Sequence, residues 1–105
     1  MVNDLEDIGF CPPHPGEYLR EDILPALNMT QLQLARHLGV TRQSLSGLIN
    51  EKKSVSIDMA QKLGQAFENG TRFWLALQLQ HDVWRAEKNR KDRISPLKWD
   101  ETSAA

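Results

Sequence analysis

Four of the five side chains between residues 42 and 46 can form hydrogen bonds. Arg42 and Gln43 come first, and Ser44 and Ser46 follow on either side of a leucine. An arginine can bind guanine through two hydrogen bonds and a glutamine can bind adenine in the same way, with about 1–3 kcal/mol of discrimination per pair. Serine hydroxyls can serve either bases or phosphates. We therefore predict that these four residues contact the bases of DNA.

Polar groups suited to phosphate flank this cluster on both sides. Gln31 precedes it, at the expected positive end of a short helix, and Asn50, Lys52 and Lys53 follow it. We predict that all four contact DNA phosphates. Two simpler interpretations stay open, since the lysines also suit a solvated loop and Gln31 also suits the polar opening of a helix.

Two short amphipathic segments must position these side chains, and they meet at Gly39. Thr30 and Thr41 are good N-cap residues for them, and glycine tolerates the positive φ that a tight turn requires. The spacing predicts helices over about 30–38 and 42–50, the layout of a helix-turn-helix. The residues expected to hold the two helices together are Ala35, Gly39, Val40, Leu45 and Leu48. Plain helical packing is the alternative interpretation of the same pattern.

The charge of the chain is small in total and uneven along its length. The 105 residues carry a net charge of −1, but residues 1–29 sum to −5, residues 30–53 to +3 and residues 85–98 to +4. A local basic patch is enough to attract phosphates. No run of about 18 apolar residues predicts a membrane helix, no signal peptide is recognisable, and one cysteine suits a reducing compartment. We expect a cytoplasmic protein without a membrane partner.

Five helices with short connections predict an all-α domain with flexible ends. Residues 1–13 are expected to form an N-terminal arm, residues 14–84 the DNA-binding domain, and residues 94–105 a C-terminal tail. A first helix is expected to begin near Pro15 and to stop or kink at Pro25. Ser56 is expected to cap a fourth helix and Thr71 a fifth, which runs over 71–93.

The predicted fifth helix has two apolar faces. Leu75, Leu79 and Val83 form one of them, and a helix in a small domain rarely buries two faces in its own core. We predict that this face joins two copies into a homodimer. The alternative interpretation is that all its residues belong to the core. The other face is expected to pack inward through Phe73, Trp74, Leu77 and Trp84. The basic run after it suits a solvated helix end, a partner or flanking DNA.

Neither catalysis nor metal binding is indicated. The chain offers no nucleophile–base pair, no carboxylate pair and no phosphate-binding loop, and no cofactor is expected. His14, His37 and His81 lack metal-ligand spacing, so each is expected to be a surface or capping histidine. Cys11 has no evident activating base. Ile94, Leu97 and Trp99 are apolar residues in the tail and are expected to pack back or to dock a partner.

The stretch from Thr30 to Phe67 resembles the phage-repressor-like (XRE) helix-turn-helix family. Residues 13–19 read Pro-His-Pro-Gly-Glu-Tyr-Leu, similar to the opening of HigA-type antitoxins, also called virulence-associated protein I. The Phe-Trp-Leu-Ala-Leu-Gln block at 73–78 is similar to that family too. The resemblance implies a dimeric autorepressor that binds a palindromic operator. It also implies a HigB toxin partner, which resembles RelE and cleaves mRNA on the ribosome.

Two short segments depart from that family's pattern. Glu51 stands where the family often has glycine, between Asn50 and Lys52, and it brings a negative charge near the phosphates. Residues 68–71 read Glu-Asn-Gly-Thr in place of Gly-Thr-Ser-Pro. Besides the antitoxin, two other functions fit the pattern: a stand-alone regulator of the same fold without a toxin, and a protein-binding helical adaptor.

Overall fold

Five helices form within residues 10–99, the part of the chain that the computed structural model describes. Helix α1 is a continuous run of three pieces, Pro15–Tyr18, a π-helical turn at Leu19–Ile23, and Leu24–Leu27. The others are α2 (Gln31–Leu38), α3 (Arg42–Ile49), α4 (Ile57–Ala66) and α5 (Thr71–Asn89). The prediction of an all-α fold is therefore confirmed. The first nine residues of the predicted arm and the last six of the predicted tail lie outside the described range.

Helix α1 continues past Pro25, so of the two outcomes expected there, a stop or a kink, the stop is wrong. In the π-helical turn before it, the Leu24 N–H donates to the Leu19 carbonyl, five residues back. This wider turn shifts the hydrogen-bond ladder just ahead of a residue that has no N–H to offer. The helix ends at Asn28, whose φ of 51° lies in the left-handed region.

Side-chain caps begin three of the helices at the predicted residues. Thr30 and Gln33 form a reciprocal capping box at α2, and Thr41 and Ser56 accept backbone N–H groups at α3 and α4. The predicted cap at Thr71 is wrong, because Gly70 occupies the cap position and Thr71 is already helical. Helix α5 ends at Asn89 rather than near Arg93.

One apolar core lies where the five helices meet. Its side chains with no measurable exposure are Leu19, Leu45, Ile49, Ala60, Leu63 and Trp74. Ala35 and Leu48 are buried with them, while Val40 is half-buried against the core. Trp74 is the central residue that α5 contributes, and its indole N–H donates to the Asn69 side chain at 2.8 Å. Within residues 10–99 no helix is long and apolar enough to span a membrane.

The buried face of α5 includes two polar residues that its apolar pattern does not predict. The Gln78 side-chain oxygen accepts the Val55 N–H at 2.8 Å, which anchors the loop between α3 and α4. His81 is 6% exposed, and its Nδ1 lies 2.8 Å from the Pro12 carbonyl oxygen, so the expectation of a surface histidine is wrong there. Phe73, predicted to be inward, keeps 38% of its surface exposed. Gln78 and His81 therefore occupy part of the inner face of α5, where the apolar pattern predicts aromatic side chains.

Candidate nucleic-acid interface

A tight turn at Gly39 sets the angle between α2 and α3. Gly39 has a φ of 72°, and the Val40 N–H donates to the Ala35 carbonyl at 3.0 Å, which closes the end of α2. Thr41 then caps α3 through the Ser44 N–H at 3.0 Å. The turn thus brings the first residues of α3 out to the surface while Leu45 packs inward.

The predicted base-contacting residues lie together on α3 but differ in exposure and in their existing hydrogen bonds. Arg42 and Gln43 occupy its first turn and are exposed, whereas Ser44 and Ser46 are half-buried. Each serine hydroxyl already has a neighbour: the Lys53 ammonium donates to Ser44 at 3.0 Å, and the Asn50 amide donates to Ser46. Arg42 and Gln43 therefore have the accessible donors and acceptors that base recognition requires.

Lys53 folds back onto α3 instead of extending from the following loop. Its side chain crosses Gly47, where an added Cβ would lie 3.2 Å from the Lys53 Cε atom. The ammonium group thereby reaches Ser44, at the same end of α3 as Arg42. The absence of a side chain at Gly47 is the sequence signal for this arrangement, and the sequence interpretation missed it. Lys52, the other predicted phosphate contact, is exposed in the turn that follows α3.

Glu51 has a φ of 60°, in the left-handed region that favours glycine. Its carboxylate is not a free negative charge, because the Arg20 guanidinium lies 3.1 Å from it. The same guanidinium donates to the Ile49 carbonyl, the last residue of α3, at 2.7 Å. The Glu21 and Glu51 carboxylates raise the pKa of Arg20 further above its usual range. Arg20 therefore offsets the repulsion of phosphates that the sequence indicates for Glu51.

The N-terminus of α2 offers a second place for a phosphate. Gln31 is the first residue of this helix and is half-buried. The capping box uses the N–H groups of Thr30 and Gln33, and helix geometry leaves the N–H groups of Gln31 and Leu32 without an intrahelical acceptor. Such groups at a helix N-terminus attract phosphate oxygens. Gln31 lies beside these groups, and its contact with a phosphate stays a prediction.

The three residues predicted to join two copies differ in exposure along α5. Leu79 lies near the middle of the helix with 63% of its surface exposed, while Leu75 and Val83 are half-buried. Leu75 also packs against the core of its own chain. Of these three side chains, Leu79 alone is exposed.

Two of the three histidines, His14 and His81, take structural positions, and His37 is exposed on α2 as predicted. His14 caps α1 by accepting the Gly16 N–H at Nδ1, and its burial, with a smaller contribution from His81, lowers its pKa below the usual value. Burial raises the pKa of the Cys11 thiol, which lies 3.5 Å from the His81 ring. Among the side chains of residues 10–99, no three potential ligands converge into a metal site.

Comparison with known proteins identifies relatives along most of the chain. The sequence profile of the Helix-turn-helix family matches residues 19–74. Virulence-associated protein A' of Dichelobacter nodosus is 40% identical over 93 residues, 88% of this chain and 79% of that protein. Antitoxin HigA-1 of Vibrio cholerae is 36% identical over 87 residues, 83% of this chain and 82% of that protein.

A solved structure extends the similarity to the three-dimensional fold. The Pseudomonas aeruginosa antitoxin HigA, solved with the higBA promoter, superposes with a TM-score of 0.73 at 32% identity, covering 83% of this chain and 99% of that chain. The fold and the sequence therefore agree on the same group of DNA-binding regulators, which are not enzymes. The chain belongs to the XRE-type helix-turn-helix family, among the homologues of HigA antitoxins and virulence-associated proteins.

Proposed function

We propose that this protein is the antitoxin of a HigBA-type module, which represses its own operon and neutralises an mRNA-cleaving toxin. The observation that carries the DNA-binding part is the exposed pair Arg42 and Gln43 on the first turn of α3. Recognition helices usually contact base edges with their N-terminal residues. Lys53 adds a cation to the same helix surface, and Arg20 forms an ion pair with the Glu51 carboxylate near the end of that helix.

Base recognition by α3 is tested by replacing both exposed residues, Arg42→Ala with Gln43→Ala. The ratio of operator affinity to scrambled-DNA affinity should fall at least tenfold, since each pair contributes about 1–3 kcal/mol of discrimination. The matched control is Arg72→Ala with Gln65→Ala, which removes the same two residue types from exposed positions on α5 and α4. An unchanged ratio in the α3 variant would contradict the assignment.

The proposed homodimer uses the α5 face around Leu79. A two-fold dimer also places two recognition helices about 34 Å apart, one turn of DNA, and so fits a palindromic operator. Leu79→Glu should give a folded monomer that binds the operator poorly. Ile57→Glu is the matched control, because Ile57 is 64% exposed against 63% for Leu79. Light scattering that finds Leu79→Glu still dimeric would exclude this interface.

The toxin is the partner that separates the antitoxin from a stand-alone regulator. Co-expression with the neighbouring short open reading frame, followed by purification through a tag on this chain, should recover a toxin of the RelE-like class. Co-expression should also relieve the growth arrest that this toxin causes alone. Operator binding without any co-purifying toxin would favour the stand-alone regulator, and loss of both would favour the helical adaptor.

A further inference from the structure

A groove of about 330 Å³ separates α1 from the end of α4. Its walls are mainly apolar, from Tyr18, Ile23, Leu27 and Phe67, and Asp22 adds a carboxylate. The groove lies at the start of α5, because the Tyr18 and Phe67 rings are 5.8 and 6.0 Å from the Trp74 ring. Leu27 is 50% exposed, so the groove has apolar surface left to bury.

The segment after α5, residues 90–99, presents apolar side chains of its own. It has no regular secondary structure, and Ile94, Leu97 and Trp99 are 77%, 88% and 72% exposed. Four basic residues and one acidic residue give it a net charge of +3. Three large apolar side chains within six residues, all facing solvent, are typical of a segment that binds a protein surface.

The proposed dimer brings this segment toward the groove of the second copy. Leu75 and Val83 each lie four residues from Leu79, so a two-fold axis at Leu79 pairs Leu75 with the partner's Val83 when the helices run antiparallel. In the same register Asn89 lies at the level of residue 69 of the partner along the helix axis, just before the partner's α5 begins at Thr71. Asn69 borders the groove, so the tail begins near the end of the partner's α5 at which the groove lies.

Charge favours the antiparallel arrangement over the parallel one. A parallel pair would set the basic ends of both helices, with Arg85 and Lys88, against each other. The antiparallel pair sets each basic end near Asp22 and Glu68 of the partner, and it also opposes the two helix dipoles. The segment of ten residues spans at most about 33 Å when extended, which is ample for a groove that begins beside it.

We propose that residues 90–99 of each copy dock in the groove between α1 and α4 of the other copy. The apolar side chains of the segment cover the apolar walls of the groove, and its basic residues approach the Asp22 carboxylate in the groove wall. This inference rests on the proposed homodimer and extends it, because the tail exchange encloses α5 and ties the two DNA-binding domains together. The occupant of the groove is thus a second copy of this chain.

Disulfide trapping between two differently tagged chains tests this arrangement. Both chains carry Cys11→Ser; one also carries Leu97→Cys in the tail, and the other carries Ala26→Cys in the groove. Mild oxidation of the mixture should yield a covalent heterodimer. The control pairs Leu97→Cys with Ile57→Cys, an exposed residue at the opposite end of α4, and should yield at least tenfold less.

A second measurement tests how much the docked tail contributes to the affinity of the dimer. Leu97→Ser with Trp99→Ser should raise the dissociation constant of the dimer at least tenfold in sedimentation equilibrium. Both side chains are exposed in the single chain, so the fold stays intact. A dimer that forms no disulfide between Leu97→Cys and Ala26→Cys would overturn the tail exchange but not the dimer. An intrachain disulfide in a chain that carries both cysteines, without covalent dimer, would overturn it too, and a monomeric chain would remove both proposals.

Discussion

Arg20 and Glu51 form an ion pair at 3.1 Å that connects α1 to the residue two positions past the end of α3. The guanidinium also donates to the last carbonyl of α3, at Ile49, and so completes the C-terminus of the recognition helix. One side chain therefore supports α3, the proposed recognition helix, and pairs with the Glu51 carboxylate. The Glu21 carboxylate, at 2.8 Å, shares the same guanidinium. Arg20 is a positioning residue in this arrangement, since it is not predicted to touch DNA.

Arg20→Ala should lower operator affinity about tenfold. The variant loses the hydrogen bond that fixes the end of α3, so the helix is held less firmly for binding. Such a bond from a charged donor typically contributes about 1.5–3 kcal/mol to stability. It also leaves the Glu51 carboxylate unpaired near DNA. Adding Glu51→Gln should restore part of the affinity, because it removes that charge. Fluorescence anisotropy with labelled operator measures both steps; a second substitution that restores nothing would show that Glu51 does not repel the DNA.

The two lysines after α3 should not be equivalent. Lys53→Met should weaken operator binding more than Lys52→Met, because only Lys53 is held against Ser44 by a hydrogen bond. If its ammonium contacts a phosphate, the slope of log affinity against log salt should fall by about one. Titrations at several salt concentrations provide this slope. Equal losses would contradict the distinction drawn from Ser44, and unchanged affinity and slope in both variants would identify both lysines as members of a solvated loop.

Local signals in the sequence predicted the local structure of this fold well. Thr30, Thr41 and Ser56 begin their helices as expected, because an N-cap depends on the side chain and on two or three neighbouring residues. Gln78 and His81 escaped prediction, because their partners, Val55 and Pro12, lie 23 and 69 residues away along the chain. Helical periodicity relates residues a few positions apart, so it does not predict a buried polar side chain whose hydrogen-bond partner lies elsewhere in the fold.

In the candidate site too, the sequence predicts the local features but not the contacts between distant residues. The exposure of Arg42 follows from its place in the first turn of a capped helix, which the pattern around Thr41 predicts. The support from Arg20 depends on how α1 crosses α3, where Gly16 packs so closely on the Leu48 carbonyl that a Cβ would overlap it. A contact of this kind arises from tertiary packing, so the sequence reveals only its components.

Glu68→Gly should stabilise the fold. Glu68 has a φ of 58°, in the left-handed region that costs an L-residue about 1–2 kcal/mol, whereas glycine adopts it without strain. The greater freedom of glycine in the unfolded chain offsets part of this gain, so the free energy of unfolding should rise by about 0.5 kcal/mol. Gln65→Gly, in the regular part of α4, should lower it by about 0.5–1 kcal/mol. Urea denaturation of both variants checks the opposite signs.

Protonation of His14 should destabilise the protein in mildly acidic solution. His14 is 5% exposed, and its Nδ1 accepts the Gly16 N–H at 2.9 Å, which requires the neutral ring. Burial lowers its pKa in the folded state below the ordinary value of 6.5, so unfolding takes up a proton below that pH. This contribution to stability is fully present above pH 6.5 and is lost as the pH falls toward the lowered folded-state pKa, with a slope of at most about 1.4 kcal/mol per pH unit.

Urea denaturation at pH 7.5 and at pH 5.5 measures this loss. His14→Asn keeps an N-cap side chain and cannot take up the proton, so its free energy of unfolding should change less between the two pH values. His37→Asn is the matched control, because His37 is exposed on α2 and its replacement should leave the pH dependence of the unmodified chain. The same pH dependence in His14→Asn and in the unmodified chain would show that His14 does not govern it.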